Sequence, residues 1–326
     1  MIIKTPSRLH MALINMDGSN GRMDGGIGLT LDRPNFILEG NLSDSSKITV
    51  DFEEELSNDI KAEYTKKIND AANKILNYYD FDYGFDFLVK KSLLLHSGLG
   101  SGTQIALATA KIVTELLDIH KGAVVLSTIV GRGGTSGIGT YSFDFGGFLV
   151  DGGHNKDEKP DFLPSSASAA KPPKLIARYD FPEDWNILIA IPKSDSVNGK
   201  HEVNVFQEAC PVPSKEVNEI SHIIFMNLIP FMLEKDIIEV GRAVNEMQYK
   251  GFNKVGIDIQ NDKTKDLMKF IYNNGAYGVG ISSFGPALYS FFDDNNKDIV
   301  EKTKEYLGND GIVFVSKAQN HGYEIL

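Results

Sequence analysis

Apolar and polar positions along the chain either alternate or recur every three to four residues, and the changes of period divide it into short elements. Residues 1–14 alternate around Leu9, with Arg8 and His10 as polar members, and predict a first strand. Residues 27–31 and 35–38 predict two more. Between 57 and 79, Ile60, Tyr64, Ile68, Ala71, Ile75 and Tyr78 recur at helical spacing behind Ser57, a residue suited to cap the helix. The opposite face, rich in lysine and glutamate, reads as solvated. Residues 85–95 alternate as a strand, and the helix after them carries Ile105, Ala108, Ile112, Leu116 and Leu117 on one side. A short helix over 122–130 and a strand over 141–151 complete the first half.

The pattern then stops. Residues 155–174 hold Pro160, Pro164, Pro172, Pro173 and a Ser/Ala run, the composition of a mobile loop or a domain boundary. A division here gives domains of 1–160 and 161–326. Beyond it the periods predict strands over 187–191, 276–282, 287–292 and 312–315, with helices over 214–233, 235–250, 262–273 and 297–307. The fold class is α+β.

Glycine is the outlier of the composition, with 31 residues of 326, and four tight clusters of it stand out along the chain. These are RMDGGIG at 22–28, GLGSG at 98–102, GRGGTSGIG at 131–139 and GAYGVGISSFG at 275–285. Their irregular spacing excludes a solenoid repeat. Such clusters mark tight turns or backbone brought close to a ligand, because only glycine enters positive φ without strain. The second cluster runs straight into a helix, so unpaired amides and the positive helix end converge on one point suited to phosphate. No lysine follows its last glycine and the spacing is not GxGxxG, so neither standard nucleotide motif applies. The alternative is a helix start capped by Ser101 or Thr103.

Charge refines the choice of ligand. Lys plus Arg 33 against Asp plus Glu 44 leaves −11, a field that excludes nucleic acid as the main partner. Yet three of only six arginines, Arg8, Arg22 and Arg132, stand in the first strand or in glycine clusters. Guanidinium suits phosphate, so these predict local positive pockets for a highly phosphorylated small molecule. The single cysteine, Cys210, forms no internal disulfide, and no Cys/His cluster suggests zinc. Neither a leader segment nor an apolar run of the ~18 residues a membrane span needs is evident, which predicts a cytoplasmic protein away from membranes.

An N-terminal strand, a GLGS loop opening a helix, a later TSGIG segment and a C-terminal GVGISSFGP loop occur in this order. The order resembles the galactokinase, homoserine kinase, mevalonate kinase and phosphomevalonate kinase (GHMP) superfamily over most of the chain. The resemblance implies a two-domain kinase-type fold with mixed β-sheets and packed helices. Within it, SRLHMALI at 7–14, NGRMDGGIGL at 20–29, GRGGTSGIGTYSFDFGGFLVDGGH at 131–154 and FQEACPVP at 206–213 resemble the archaeal β-ribofuranosylaminobenzene 5′-phosphate synthases. Two departures separate this chain from the kinases. The second serine of GLGSSAA, which helps hold magnesium, corresponds to Gly102, and the catalytic aspartate of PSGID corresponds to Gly139. Glycine cannot take a proton from an alcohol. An ATP-dependent small-molecule kinase remains the alternative if Asp144 or Asp151 acts from another direction.

The synthase resemblance implies a pentosyltransferase of tetrahydromethanopterin biosynthesis. Phosphoribosyl pyrophosphate and 4-aminobenzoate or 4-hydroxybenzoate would give an aryl riboside 5′-phosphate, carbon dioxide and pyrophosphate. It also implies Mg2+ and a homodimer. Pyrophosphate departure leaves an oxocarbenium-like centre, and the leaving charge calls for magnesium, arginine and backbone amides. The candidate cradle is Gly98, Gly100, Ser101, Gly102 and Thr103, faced by Arg132, Gly133, Gly134, Thr135 and Ser136. Gly25, Gly26, Ser282 and Ser283 join it from the first and fourth clusters. Arg8, His10, Arg22 and Asp24 are the candidates around the reacting centre. Asp24 is either the magnesium carboxylate or a turn aspartate capping its own loop. Asp151 and His154 end a strand where site residues collect, or form an ordinary turn. His201 and Glu202 follow a run at 194–200 that reads as a lid or as a solvated loop. His96, His120, His222 and His321 have no motif around them and read as structural.

Overall fold

The computed structural model describes residues 1–165, 167–193 and 199–326, without the side chains at 199–201. Residues 194–198 of the run expected as a lid, and the side chain of His201, lie outside the described residues, and its last two residues, 199 and 200, are helical. Chain order gives strands β1 (Ile2–Asn15), β2 (Arg22–Ser43) and β3 (Ile48–Phe52), helix α1 (Asn58–Tyr79) and strand β4 (Gly84–Lys91). Helices α2 (Ser101–Leu116), α3 (Ala123–Val130) and α4 (Ile138–Asp144) follow. Next come strands β5 (Phe148–Asp151), β6 (His154–Asn155), β7 (Leu175–Tyr179) and β8 (Asn186–Pro192). Helix α5 (Gly199–Ala209) precedes α6 (Ser214–His222), which continues through a π-helical stretch, Ile223–Leu228, into α7 (Ile229–Leu233). Helices α8 (Ile237–Met247), α9 (Gly251–Asp258) and α10 (Asp262–Asn273) lead to strands β9 (Tyr277–Ile281) and β10 (Leu288–Phe292). Helix α11 (Ile299–Leu307) and strands β11 (Gly311–Ser316) and β12 (Glu324–Ile325) end the chain.

Two sheets organise these elements. The larger has the order β12-β1-β2-β4-β3, with β5 and β6 also on β2 and β7 on β5. The smaller is the antiparallel order β11-β8-β10-β9. The first sheet turns on β2, which is one 22-residue strand rather than the two shorter ones the pattern predicts. Polar Asp32-Arg33-Pro34 interrupts the hydrophobic alternation without ending the strand, because β1 pairs on both sides of it (Ser7 with Leu31, Thr5 with Phe36). The near half of β2 pairs with β5 and the far half with β4.

A second difference lies at 141–151, expected as one strand. The chain there completes α4, turns through Gly146 and Gly147, and only then enters β5. Both glycines have positive φ, and a Cβ at Gly146 would stand 2.1 Å from the His321 carbonyl oxygen. Tyr141 and Phe143 stand two apart, the period of a strand, while α4 is short and buried on most of its faces, so no helical period shows in the sequence.

Ser57 caps α1 as expected, its hydroxyl accepting the Ile60 amide. Tyr64, Ile68 and Ile75 of α1 pack with Phe85 and Phe87 of β4 and Ile105 and Ile112 of α2. A larger core joins the sheets: Leu9, Met11, Ile27 and Leu29 meet Ile187, Ile189, Tyr289 and Phe291, with Val240 and Val244 of α8 closing it. Each such side chain contributes roughly 1.5–3 kcal/mol on burial, enough to fix β1 and the glycine loop beside it against the second sheet. No described helix is long and apolar enough to cross a membrane.

Candidate active site

A cavity of about 370 Å³ opens between the glycine loop, the first strand and the α9 and β9–β10 region. Its cationic end is built by local backbone geometry. Gly98 and Gly100 hold φ of 86° and 85°, and Gly100 starts α2 with no side-chain cap. The Thr103 and Gln104 amides return to the Gly100 carbonyl, while the Ser101 and Gly102 amides have no acceptor inside the helix. Gly98 must lack a side chain, since its Cβ would stand 2.5 Å from the Ser282 carbonyl oxygen. Buried Ser282 locks this junction, donating to the Gly98 carbonyl at 2.8 Å and accepting the His10 amide at 3.0 Å.

Two arginines point their charge at this end. Arg8 crosses Gly100 and donates to the Gly98 carbonyl. Burial pulls its pKa down to about 10, opposed by the nearby charge of Glu202. Arg132 lies over Gly102, where an added Cβ would meet its guanidinium nitrogens at 3.5 Å. Burial lowers its pKa too, and among the described residues it has no ion-pair partner. His10, two residues along β1 from Arg8, lines the same cavity, and burial and the Arg8 charge pull its pKa down to about 3, so its ring is neutral.

The loop at 131–137 forms the facing wall, with Gly133, Thr135 and Ser136 lining the cavity. Gly134 does not line it; its Cα packs under Ser168. Asp151 anchors the loop from behind, as its buried carboxylate accepts Ser136 Oγ at 2.8 Å, the Gly137 amide at 2.9 Å and the Gly153 amide at 3.0 Å. Gly26 lies under both walls, its missing Cβ leaving room for Ser136 and His10.

Several expected site residues stand elsewhere. Arg22 turns away and donates to the Gly152 and Gly153 carbonyls. Gly25 packs on the 151–153 turn. Asp24, at φ 63°, is fully buried behind the wall, with Oδ2 2.6 Å from His154 Nδ1 and 2.9 Å from Lys159 Nζ. His154 Nε2 in turn meets the Lys171 carbonyl at 2.8 Å. Ser283 and Glu202 do line the cavity.

Sequence reasoning missed four features. Lys159 links Asp24 to the wall, donating to Thr135 Oγ1 at 3.1 Å and to the Leu163 carbonyl at 2.9 Å. His96, read as structural, lines the cavity mouth and meets Glu63 at 2.8 Å, with Lys67 2.9 Å from the same carboxylate. Phe206, Phe252 and Phe284 form an aromatic wall of the cavity. Asn253 lines the cavity beside them.

Magnesium finds no protein cage here. Among the described residues no three His, Cys, Asp or Glu side chains gather as metal ligands. The expected ligand Asp24 gives Oδ2 to Lys159 and His154, outside the cavity lining. The neighbours of Gly139 also bear on chemistry. Its Cα faces Thr103, and its carbonyl accepts Gln104 Nε2 at 2.9 Å, with no carboxylate in that place. Asp144 is engaged in accepting the Ala123 amide, and neither it nor Asp151 lines the cavity.

Residues 63–147 match the GHMP kinases N terminal domain and residues 228–309 the GHMP kinases C terminal. In fold the chain is similar to L. major mevalonate kinase in complex with R-mevalonate (TM-score 0.73, 14% identity, 98% of this chain and 96% of that one). It is also similar to Methanococcus jannaschii mevalonate kinase (TM-score 0.70, 16% identity, 98% of each chain). The fold is therefore that of the GHMP kinases. The β-ribofuranosylphenol 5′-phosphate synthase of Methanothermobacter thermautotrophicus is 47% identical over 323 residues, 99% of this chain and 97% of that protein. Its namesake in Methanocaldococcus jannaschii is 42% identical over 336 residues, covering both chains fully. The chain belongs to this synthase family.

Proposed function

We propose that the protein is a decarboxylating aryl phosphoribosyltransferase, an enzyme that joins phosphoribosyl pyrophosphate to 4-hydroxybenzoate. The products are a β-ribofuranosylphenol 5′-phosphate, carbon dioxide and pyrophosphate. The relatives' name supplies the phenol, and so favours the hydroxyl over the amino substituent. The observation that carries the reading is a phosphate-binding end without a base. Helix amides, Arg8 and Arg132 converge there, while Gly139 stands where a kinase of this fold needs a carboxylate.

The chemistry needs no side-chain nucleophile. The bond between ribose C1′ and the pyrophosphate oxygen breaks, and the leaving group takes the electron pair onto the amides of α2 and the two arginines. The ring carbon bearing the carboxylate, enriched by the para oxygen, forms the new bond to C1′. The bond to the carboxylate then breaks, its pair restores the aromatic ring, and carbon dioxide departs with no net gain or loss of protons. Neutral His10 adds no positive charge beside the oxocarbenium-like centre. Magnesium belongs to this reading as a diphosphate complex that arrives with the substrate, which suits a cation that retains waters and phosphate oxygens. The family resemblance adds a cytoplasmic homodimer in tetrahydromethanopterin biosynthesis, and light scattering of the purified chain checks the assembly.

Carboxyl-labelled 4-hydroxybenzoate with phosphoribosyl pyrophosphate and magnesium should release labelled carbon dioxide. No release from the hydroxy or the amino acid overturns the reading, and phosphoryl transfer from ATP to an alcohol would replace it with the kinase.

A further inference from the structure

The cavity is chemically divided, and only one half has been used. Phe206 of α5, Phe252 of α9 and Phe284 of the β9–β10 loop, all three largely buried, pack against one another in tilted and edge-on contacts. Their centroids lie 4.8 Å apart (206 to 252), 5.7 Å (206 to 284) and 5.6 Å (252 to 284). All three line the cavity, and Met11, Leu13 and Ile281 extend the same apolar wall. Asn253 adjoins it, with Glu202 and Ser283 also lining the cavity. Asn253 donates its Nδ2 to the Met11 carbonyl at 2.9 Å, which fixes the carboxamide and leaves Oδ1 without a donor among the described residues. An aromatic wall with a fixed hydrogen-bond acceptor beside it matches a flat ring that carries a donor.

Resting on the transferase reading, we propose that the Phe206–Phe252–Phe284 wall is the arene subsite and that Asn253 Oδ1 accepts the para hydroxyl of the incoming benzoate. The arrangement accounts for three requirements together. The ring packs on the aromatic wall while the diphosphate stays at the amides and arginines, so the incoming and the leaving group have separate binding groups. An acceptor on the hydroxyl proton leaves more electron density on the phenolic oxygen, and the ring carbon para to it becomes the better nucleophile. With its hydroxyl on Asn253, the ring turns the carbon that bears the carboxylate toward ribose C1′, where the new bond forms. Asn253 is thereby a specificity-determining residue, selecting a para donor over an unsubstituted ring.

The test separates this subsite from the overall reaction by measuring binding rather than turnover. Saturation-transfer NMR or calorimetry on the full chain, with magnesium and pyrophosphate present, gives affinities for 4-hydroxybenzoate and for benzoate. Asn253→Ala should weaken 4-hydroxybenzoate about tenfold, the loss typical of one hydrogen bond, while leaving benzoate and phosphoribosyl pyrophosphate within twofold. Phe252→Leu should weaken both arenes and spare phosphoribosyl pyrophosphate. Equal losses for the two arenes in Asn253→Ala, no loss in either variant, or no arene binding by the parent protein overturns the proposal. The expected binding pattern without release of labelled carbon dioxide would leave the subsite standing and reject the transferase.

Discussion

Lys159 Nζ lies 2.9 Å from Asp24 Oδ2, and both side chains are almost wholly shielded from solvent although 135 residues separate them. Burial pulls the Lys159 pKa down and the Asp24 charge pulls it back. Removing one member of such a pair strands the other, at a cost of about 3–5 kcal/mol. Lys159→Ala should therefore lower the unfolding free energy by that order, as read by urea denaturation. Asp24→Asn combined with Lys159→Met should cost clearly less than the two single changes added. Strict additivity would show that the ion pair carries little of the effect.

Arg132 makes a contrasting prediction. Its guanidinium stands over the first turn of α2 without an ion-pair partner among the described residues, so the folded protein gains little from its charge. Arg132→Ala should leave the melting temperature within a few degrees while raising KM for phosphoribosyl pyrophosphate ten- to a hundredfold, the value of one or two charge-assisted hydrogen bonds. Arg132→Lys should recover part of the loss, since lysine keeps the charge and loses the fork. A large fall in stability with unchanged KM would assign Arg132 to the fold.

What the sequence made legible follows the range over which its signals act. The glycine loop and α2 are contiguous, so GLGSG and the periodic residues after it announce the anion site together. Arg8 was readable because its strand carries it to that loop. Arg22 was misleading: it adjoins a glycine cluster, but nothing local says that its side chain reaches the Gly152 carbonyl rather than the cavity. Lys159 lies in the proline-rich stretch that looks like a linker, and its meaning depends on Asp24, far away in the chain. The aromatic wall is drawn from α5, α9 and a loop; Phe206 and Phe284 stand in the FQEACPVP and GVGISSFGP stretches, but nothing local says that folding joins them to Phe252, and the hydrophobic period does not announce α5 or α9 as helices. Contacts made only by folding leave no local pattern.

Two glycines of one loop should respond oppositely to alanine. Gly98 has φ 86° and a Cβ there would press on backbone at 2.5 Å, so Gly98→Ala should cost at least the ~1–2 kcal/mol of a left-handed non-glycine residue and displace the Ser282 junction. Gly102 is helical, and its Cβ would meet only the Arg132 guanidinium at 3.5 Å, an ordinary contact. Gly102→Ala should fold with a near-parental melting temperature, and its effect should be confined to phosphoribosyl pyrophosphate affinity. Circular dichroism melts and KM values for the two variants check the contrast.

The last prediction concerns the carboxylate that anchors the facing loop. Burial pushes the Asp151 pKa up to about 6, against the Gly153 amide, the Ser136 hydroxyl and the Gly137 amide that favour its charged form; the nearby Asp24 charge raises it further. A folded-state pKa above the unfolded value of about 3.9 means that the native protein binds more protons between these two values. Stability from this group is therefore fully present below about pH 4, declines as pH rises, and is lost above about pH 6. The slope cannot exceed about 1.4 kcal/mol per pH unit for one proton. Asp151→Asn removes the titration while keeping the shape, so the other ionisable groups cancel in the comparison. Urea denaturation of both proteins at intervals from pH 4.5 to pH 7 should show the parent losing ground to the variant through that window, with a constant difference above it. A difference that stays the same at every pH, or that moves in the parent's favour as pH rises, would place the Asp151 pKa at or below the ordinary carboxylate value and make its hydrogen bonds, rather than its burial, the dominant influence.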